Sequence, residues 1–234
     1  MGLSDTRGWP TAAAFYAYVR LINATSRYRT LGAGYAEQAQ ASRRPMVWAL
    51  WHGLNVAFIM WAVAHQRQRR AATVAVVGDR RSAHLSVLAR AFGVDAVEVS
   101  AGRQSPSKNL GLRAMLRHLK PGQETFICPD APEGPADEPK RGLYLLARQT
   151  NSLVLPFGIW ASPAGQMRRW DGNLLPYPFA RMTAVVGEPL DVHQIGSEGD
   201  FQARLKDKLN AVRKEARLLH RDLGLPKHPS RLLT

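Results

Sequence analysis

The sequence predicts an α/β fold, a single domain built on a mixed, mostly parallel sheet flanked by helices. Three observations carry this. Apolar runs of four to six residues alternate with helical segments of about ten, the pattern of a sheet buried on both faces. The chain has 234 residues, 45% of them hydrophobic, so it can bury a substantial core without staples. No internal repeat, low-complexity tract or clear linker divides it, which argues for one domain.

The elements follow in order. Residues 11–31 read as a helix with Phe15, Val19, Leu21 and Ile22 on an apolar face, ended by Gly32 and Gly34. Tyr16, Tyr18, Tyr28, Arg20, Arg27 and Arg29 border that face, as in a helix lying on a membrane surface. A helix packed on its own domain carries the same pattern. The most apolar stretch, residues 46–64, is just long enough to cross a bilayer. His52, Gly53 and Asn55 near its centre argue against a span, because polar groups are costly at bilayer depth. The better parse is a strand over 47–51, a turn at His52-Gly53 and a helix over 55–65.

Strands are then expected at 73–77, 96–99, 125–128 and 153–159, alternating with helices at 83–92, 110–119 and 140–149. Pro156 inside the last strand favours an edge or a bulge. A late strand at 182–186 precedes a helix over 201–223, with Asp200 as its N-cap and Gly224-Leu225-Pro226 as its stop. Phe201, Leu205, Leu209, Val212, Ala216 and Leu219 form one apolar stripe along that helix. The chain thus divides into an N-terminal amphipathic helix in residues 1–34, a candidate membrane contact, an α/β body over 45–190, and a C-terminal helix over 200–224 packed on that body.

Charge and missing motifs narrow the function. Lys and Arg total 32 against 18 Asp and Glu, a net charge of +14, and 25 of the 32 cations are Arg. Arg forks onto phosphate or carboxylate with paired hydrogen bonds, so the balance points to nucleic acid or to an anionic membrane surface and its phosphorylated lipids. Codon bias produces the same excess. The single Cys128 allows no internal disulfide and excludes a Cys-built metal site. The opening ten residues are polar and lack a secretory signal. There is no GxxxxGK[ST], GxGxxG, HExxH or GxSxG, and no zinc-finger or aromatic RNA-binding signature.

Four segments at strand ends carry chemistry, and loops leaving strand C-termini are where α/β sheets place their sites. Trp51-His52-Gly53 puts an imidazole at a sheet edge, where it can take a proton from a hydroxyl at neutral pH; a lone His is also commonly structural. Ser100-Ala101-Gly102-Arg103 offers backbone N–H groups beside a guanidinium, a cradle for an anion. Residues 128–135 form a proline-stiffened loop carrying Asp130 and Glu133, with Lys140-Arg141-Gly142 behind it, or else a tight surface turn. Leu155-Pro156-Phe157 is the fourth.

In this order and spacing the segments resemble the glycerolipid acyltransferase superfamily, in particular its short bacterial lysophospholipid acyltransferase branch. The matching residues are Trp51-His52-Gly53, Pro129-Asp130-Ala131-Pro132-Glu133-Gly134-Pro135, Lys140-Arg141-Gly142, Pro156, Trp170-Asp171 and Pro176-Tyr177-Pro178-Phe179. The resemblance covers about residues 45–190. It implies a glycerol-3-phosphate acyltransferase-like fold. It also implies transfer of a fatty acyl group from a thioester, acyl-CoA or acyl-acyl carrier protein, to a hydroxyl of a lysophospholipid or related phosphorylated lipid. No bound cofactor or metal is implied. The expected setting is phospholipid biosynthesis in a bacterial cytoplasm, at the inner face of the cell membrane, with no specific nucleic acid.

Carried over residue by residue, His52 is the general base. Arg103, Ser100, Gly102, Pro129, Glu133, Gly134, Pro135 and Lys140 form the acceptor site. The sequence departs from the family in three places. Ala57 stands five residues after His52, where the family has Asp. Ala131 replaces a Gly, and Glu133 replaces a usually basic residue. The carboxylate that orients His52 is therefore expected elsewhere, with Asp130 first and Asp79 second. The competing readings are a non-catalytic basic protein binding membranes or nucleic acid, and a hydrolase acting on the thioester or a phosphate.

Overall fold

The computed structural model describes residues 9–65, 72–78, 83–100, 110–131, 134–222 and 232–233. Helix α1 (Trp9–Thr25) leads into strand β1 (Arg27–Leu31), α2 (Ala33–Ala41) and β2 (Met46–Ala49). A single 3-10 turn (His52–Leu54) then feeds α3 (Asn55–Ala64). There follow β3 (Thr73–Gly78), α4 (Ala83–Ala91), β4 (Asp95–Ser100), α5 (Leu110–His118), β5 (Glu124–Ile127) and α6 (Gly142–Thr150). A long hairpin of β6 (Leu153–Met167) and β7 (Leu174–Val186) is followed by the short β8 (Leu190–Asp191), α7 (Glu198–Asp222) and β9 (Leu232–Leu233).

The sheet runs β1-β7-β6-β2-β5, with β8 and β9 also on β6. Strand β2 is parallel to β5 and β6, and β1 is parallel to β7, whereas β6 and β7 are antiparallel. The parallel pair β3-β4 meets the rest at a bridge between Ala72 and Glu124. This is the α/β class with a mixed, mostly parallel sheet that the alternation of elements predicts.

Period-two alternation fills both faces. On β2 and the two residues that follow it, Trp48 and Leu50 join Val19, Ile22, Phe58, Trp61, Phe157 and Ile159 under α1 and α3. Val47, Ala49 and Trp51 point the other way, to Leu143, Leu146, Phe201, Leu205 and Leu209 on α6 and α7. Every position of β2 is buried, so its unbroken apolar run belongs to a central strand and not to a membrane span. Among the described residues no helix is long and apolar enough to cross a membrane.

Several sequence expectations change. The helix read over 11–31 stops at Thr25, and residues 27–31 form an edge strand. Exposed Arg27 and Arg29 alternate there with half-buried Tyr28 and Thr30, a period-two pattern hidden by its shortness, and charged residues suit an edge. Gly32, at φ +70°, does not end a helix. It turns β1 into α2, and a Cβ there would lie 2.1 Å from the Val186 carbonyl oxygen. The hairpin strands are far longer than the expected 153–159 and 182–186. Their outer halves contain Pro163, Pro176 and Pro178, with a bulge where the pairing shifts between Ser162 and Ala164. Finally, Pro156 sits in a central strand. It falls where the partner of β6 changes from β8, opposite Val154, to β7, opposite Phe157, so its missing N–H breaks no ladder.

Helix α7 begins at Glu198, not 201. Ser197 is its cap, accepting from the Asp200 N–H at 3.1 Å while donating to the Asp200 carboxylate at 2.8 Å, a reciprocal cap.

Candidate active site

His52 follows β2 where the strand gives way to the 3-10 turn, at the C-terminal edge of the sheet. Its peptide is pinned from both ends. The N–H donates to Asp130 Oδ1 at 3.0 Å, and the carbonyl accepts from Asn173 Nδ2 at 3.0 Å. The ring is held on both nitrogens as well. Nδ1 lies 2.8 Å from Asp171 Oδ2, and Nε2 lies 3.3 Å from Asn55 Nδ2. Trp170 stacks on the imidazole at 5.1 Å with 25° between planes. The His52 side chain keeps 22% exposure while that of Asp171 is fully buried. A buried acid thus holds a reachable ring.

The hairpin brings Asp171 in. Gln166 pairs with Leu174, the Met167 N–H donates to the Asn173 carbonyl at 3.0 Å, and residues 168–173 form the tip. Gly53 lets this tip approach, since a Cβ there would meet the Asp171 carbonyl oxygen at 2.1 Å. The glycine of Trp51-His52-Gly53 is thereby explained: any larger residue would push the carboxylate away from the ring. Burial alone would raise the Asp171 carboxyl. Hydrogen bonds from His52 and Asn173, with the nearby charges of His52 and Arg169, outweigh it and hold the group below its ordinary value. Arg169 stands at the rim, its Nε 3.9 Å from Asp171 Oδ1.

Asp130, Gly134 and Pro135 belong to the proline-bearing loop after β5. Asp130 is buried; besides the His52 N–H, its carboxylate accepts from the Asp137 N–H at 3.4 Å. Burial pushes the Asp130 carboxyl up, against the lowering effect of these backbone hydrogen bonds and of His52. The Gly134 N–H donates to the Asp130 carbonyl at 3.1 Å. Gly134 has φ +72°, and a Cβ on it would lie 2.9 Å from the Trp170 ring, so Trp170 is wedged between this loop and His52. Arg213 of α7 grips Asp137 with two bonds of 2.7 and 2.8 Å and also donates to Asn210, which accepts from the Trp51 indole at 3.1 Å. The loop is therefore tied to the strand that delivers the histidine.

The structure brings His52, Pro129, Asp130, Gly134 and Pro135 to one sheet edge, but with a changed division of labour. Asp130 is the first choice from sequence for orienting the imidazole, yet it holds the His52 backbone and the ring contact belongs to Asp171. Two acids cannot share Nδ1, and the hairpin tip reaches it. Lys140 donates from Nζ to the Ala131 carbonyl at 3.0 Å and from its backbone to Pro129, closing the loop. Asp79, Gly102, Arg103 and Glu133 lie outside the described residues. Ser100 ends β4, and nothing of its side chain is described.

Sequence reasoning left Asn55 and Asn173 without a role and treated Trp170-Asp171 only as part of a pattern. The available signal was the Asp-Gly-Asn run at residues 171–173, a turn sequence between two proline-bearing segments. Cys128 is disfavoured as a nucleophile: burial first, then Asp130 and Asp171, push its thiol well up. Among the described residues no group of three or more His, Cys, Asp or Glu is placed to hold a metal ion.

The chain has the fold of an acyltransferase. The crystal structure of the 1-acyl-sn-glycerophosphate (LPA) acyltransferase PlsC from Thermotoga maritima superposes over 97% of this chain and 86% of its own, with a TM-score of 0.51 and 17% identity. At that identity the likeness establishes the fold. An uncharacterized protein of Rickettsia prowazekii (strain Madrid E) is 22% identical over 203 residues, covering 85% of this chain and 89% of that one. No protein-family model matches the chain.

Proposed function

We propose that the protein is an acyltransferase that moves a fatty acyl group from a thioester, acyl-CoA or acyl-acyl carrier protein, to a hydroxyl of a lysophospholipid or related phosphorylated lipid. The observation that carries this is the His52–Asp171 pair. It is a ring bonded to a buried carboxylate at the C-terminal sheet edge of an acyltransferase fold, with the one thiol disfavoured as a nucleophile beside it.

In this reading Nε2 of His52 takes the acceptor hydroxyl proton as the oxygen attacks the acyl carbonyl. The tetrahedral oxyanion then collapses, the C–S bond breaks, and the imidazolium returns its proton to the departing thiolate. Asp171 stabilises the imidazolium while it lasts, a task that suits a carboxyl held in its ionised form. Asp130 keeps the base in place through the backbone. Exposed Arg169 at the rim suits the acceptor's phosphate, as Arg103 and Lys140 do in the sequence reading.

The location that fits this substrate class is peripheral, on the inner face of the cell membrane. Leu21 and Phe179 are 50% and 76% exposed on α1 and β7, with exposed Arg20, Arg27 and Arg181 near them, a pairing of apolar and cationic groups suited to an anionic bilayer.

The test is His52→Ala with purified protein, an acyl thioester and a lysophospholipid. Loss of a general base is worth about 10²–10⁴ in rate, so turnover should fall at least that far. Near-normal turnover would remove His52 from the base role. Free fatty acid without acylated product would point to hydrolysis instead.

A further inference from the structure

A base must carry its lone pair on the right nitrogen before the acceptor arrives. The groups around His52, Asp171 on one side and the amides on the other, show which nitrogen that is. Asn173 Nδ2 lies 2.8 Å from Asn55 Oδ1, 3.0 Å from the His52 carbonyl oxygen and 3.3 Å from Asp171 Oδ2. All three are acceptors, so the amide nitrogen of Asn173 must face them; turning Asn173 round would set its oxygen against three oxygens. Asn55 therefore offers its oxygen to Asn173 and its NH2 group to His52 Nε2, 3.3 Å away. A donor opposite Nε2 fits only an unprotonated nitrogen. The single ring proton then sits on Nδ1, where Asp171 Oδ2 receives it at 2.8 Å. The two sides of the ring agree.

We propose that Asn55 is a positioning residue of this centre: its amide, aimed by Asn173, shares with Asp171 the task of keeping the lone pair on Nε2, admits no proton there, and gives way to the acceptor hydroxyl. The proposal rests on the acyl-transfer reading for its purpose, though not for its geometry. At 3.3 Å the Asn55 contact is longer than the usual N–H hydrogen bond, so an incoming O–H can replace it. The exchange then balances: the acceptor O–H proton goes to Nε2, the O–C bond forms, the C–S bond breaks, and the thiolate leaves with that proton. Asn55 is also the first residue of α3, a place where Asp is well accommodated, so the charge-altering variant should fold.

The experiment compares the full chain with Asn55→Asp and Asn55→Ala by ¹⁵N NMR of the histidine ring, assigned with His52→Gln. The parent should show a protonated Nδ1 and a bare Nε2 when its ring is neutral. Asn55→Ala should keep that form, because Asp171 still holds Nδ1. Asn55→Asp should place a proton on Nε2, facing the new carboxylate, at a pH where the parent ring is neutral. In the acyl-transfer assay Asn55→Asp should fall in kcat at least tenfold below Asn55→Ala, with KM changing less. A parent ring protonated on Nε2, an Asp variant with an unchanged ring, or equal kcat in the two variants would each overturn the proposal. The NMR readout needs no substrate, so absence of acyl transfer in every form, with the expected ring states, would sink the function and leave the tautomer assignment standing.

Discussion

Aspartate 171 shows how one side chain converts a histidine at a strand end into a candidate base. Its carboxyl is buried yet held in the ionised form by His52 and Asn173, so it aims the ring and stands ready to balance a positive charge. Asp171→Asn keeps the shape and removes the charge. It should lower kcat by about 10³–10⁴, the scale seen when the acid of a comparable triad is neutralised. Steady-state kinetics on the purified variant checks this, with circular dichroism confirming the fold; activity within tenfold of the parent would contradict it. At this scale the sequence was half legible. His52 and Asp130 stand out because a polar residue ending an apolar strand is conspicuous. Asp171 does not, because its partner is 119 residues away and only the hairpin's folding joins them. Asn55 and Asn173 are invisible for the same reason: an amide reveals its role only through what it faces.

At the level of elements, the parallel core was the readable part. Strands β2, β3, β4 and β5 and helices α3 to α6 each fall within a few residues of their sequence positions, since short runs rich in apolar and β-branched residues alternate there with helical repeats at three and four. Of the α7 stripe, Phe201, Leu205, Leu209, Val212 and Ala216 are buried and Leu219 is partly buried. The failures lie where tertiary pairing overrides local pattern: β1, the short α2 and the proline-bearing outer hairpin. One tie between elements has a pH signature. Arg44 grips Asp191 through bonds of 2.6 and 3.0 Å and donates to the Asn151 carbonyl at 2.9 Å, joining the approach to β2 with β8 and the turn before β6. The hydrogen bonds from Arg44, against the effect of burial, hold the Asp191 carboxyl below its ordinary value. A lowered folded-state value means stability that is present above the unfolded aspartate range, near pH 3.9, and is lost as pH falls through the folded one. Arg44→Ala should cost about 1 kcal/mol at pH 7 and flatten the decline in stability below pH 4. Urea melts across that range measure both.

For the whole molecule, the question is where a basic protein of net charge +14 meets its partner. Helix α1 packs on the domain through one face and leaves another exposed. Val19 and Ile22 are buried in the core, while Leu21 stays half exposed. Thr25 receives the Phe179 N–H and donates to the Leu21 carbonyl, so the backbones carrying these two exposed apolar residues are tied together. Phe179 is held at φ +64° within the bulged part of β7, an uncommon conformation for a bulky residue. Phe179→Asp should weaken binding to vesicles containing anionic lipid by about tenfold in cosedimentation. The parent's binding should fade as salt rises. Unchanged partition would remove this face from membrane contact.

His52 and Asp171 also reach one another from different parts of the fold. His52 is set by the central strand β2, whereas Asp171 arrives on a hairpin tip seated against Gly53 with no side chain between them. Lifting that tip by a few ångströms would disarm the chemistry while leaving both core layers intact. On the proposed acyl-transfer reading, activity is therefore more fragile than the fold and should be lost before it on gentle heating.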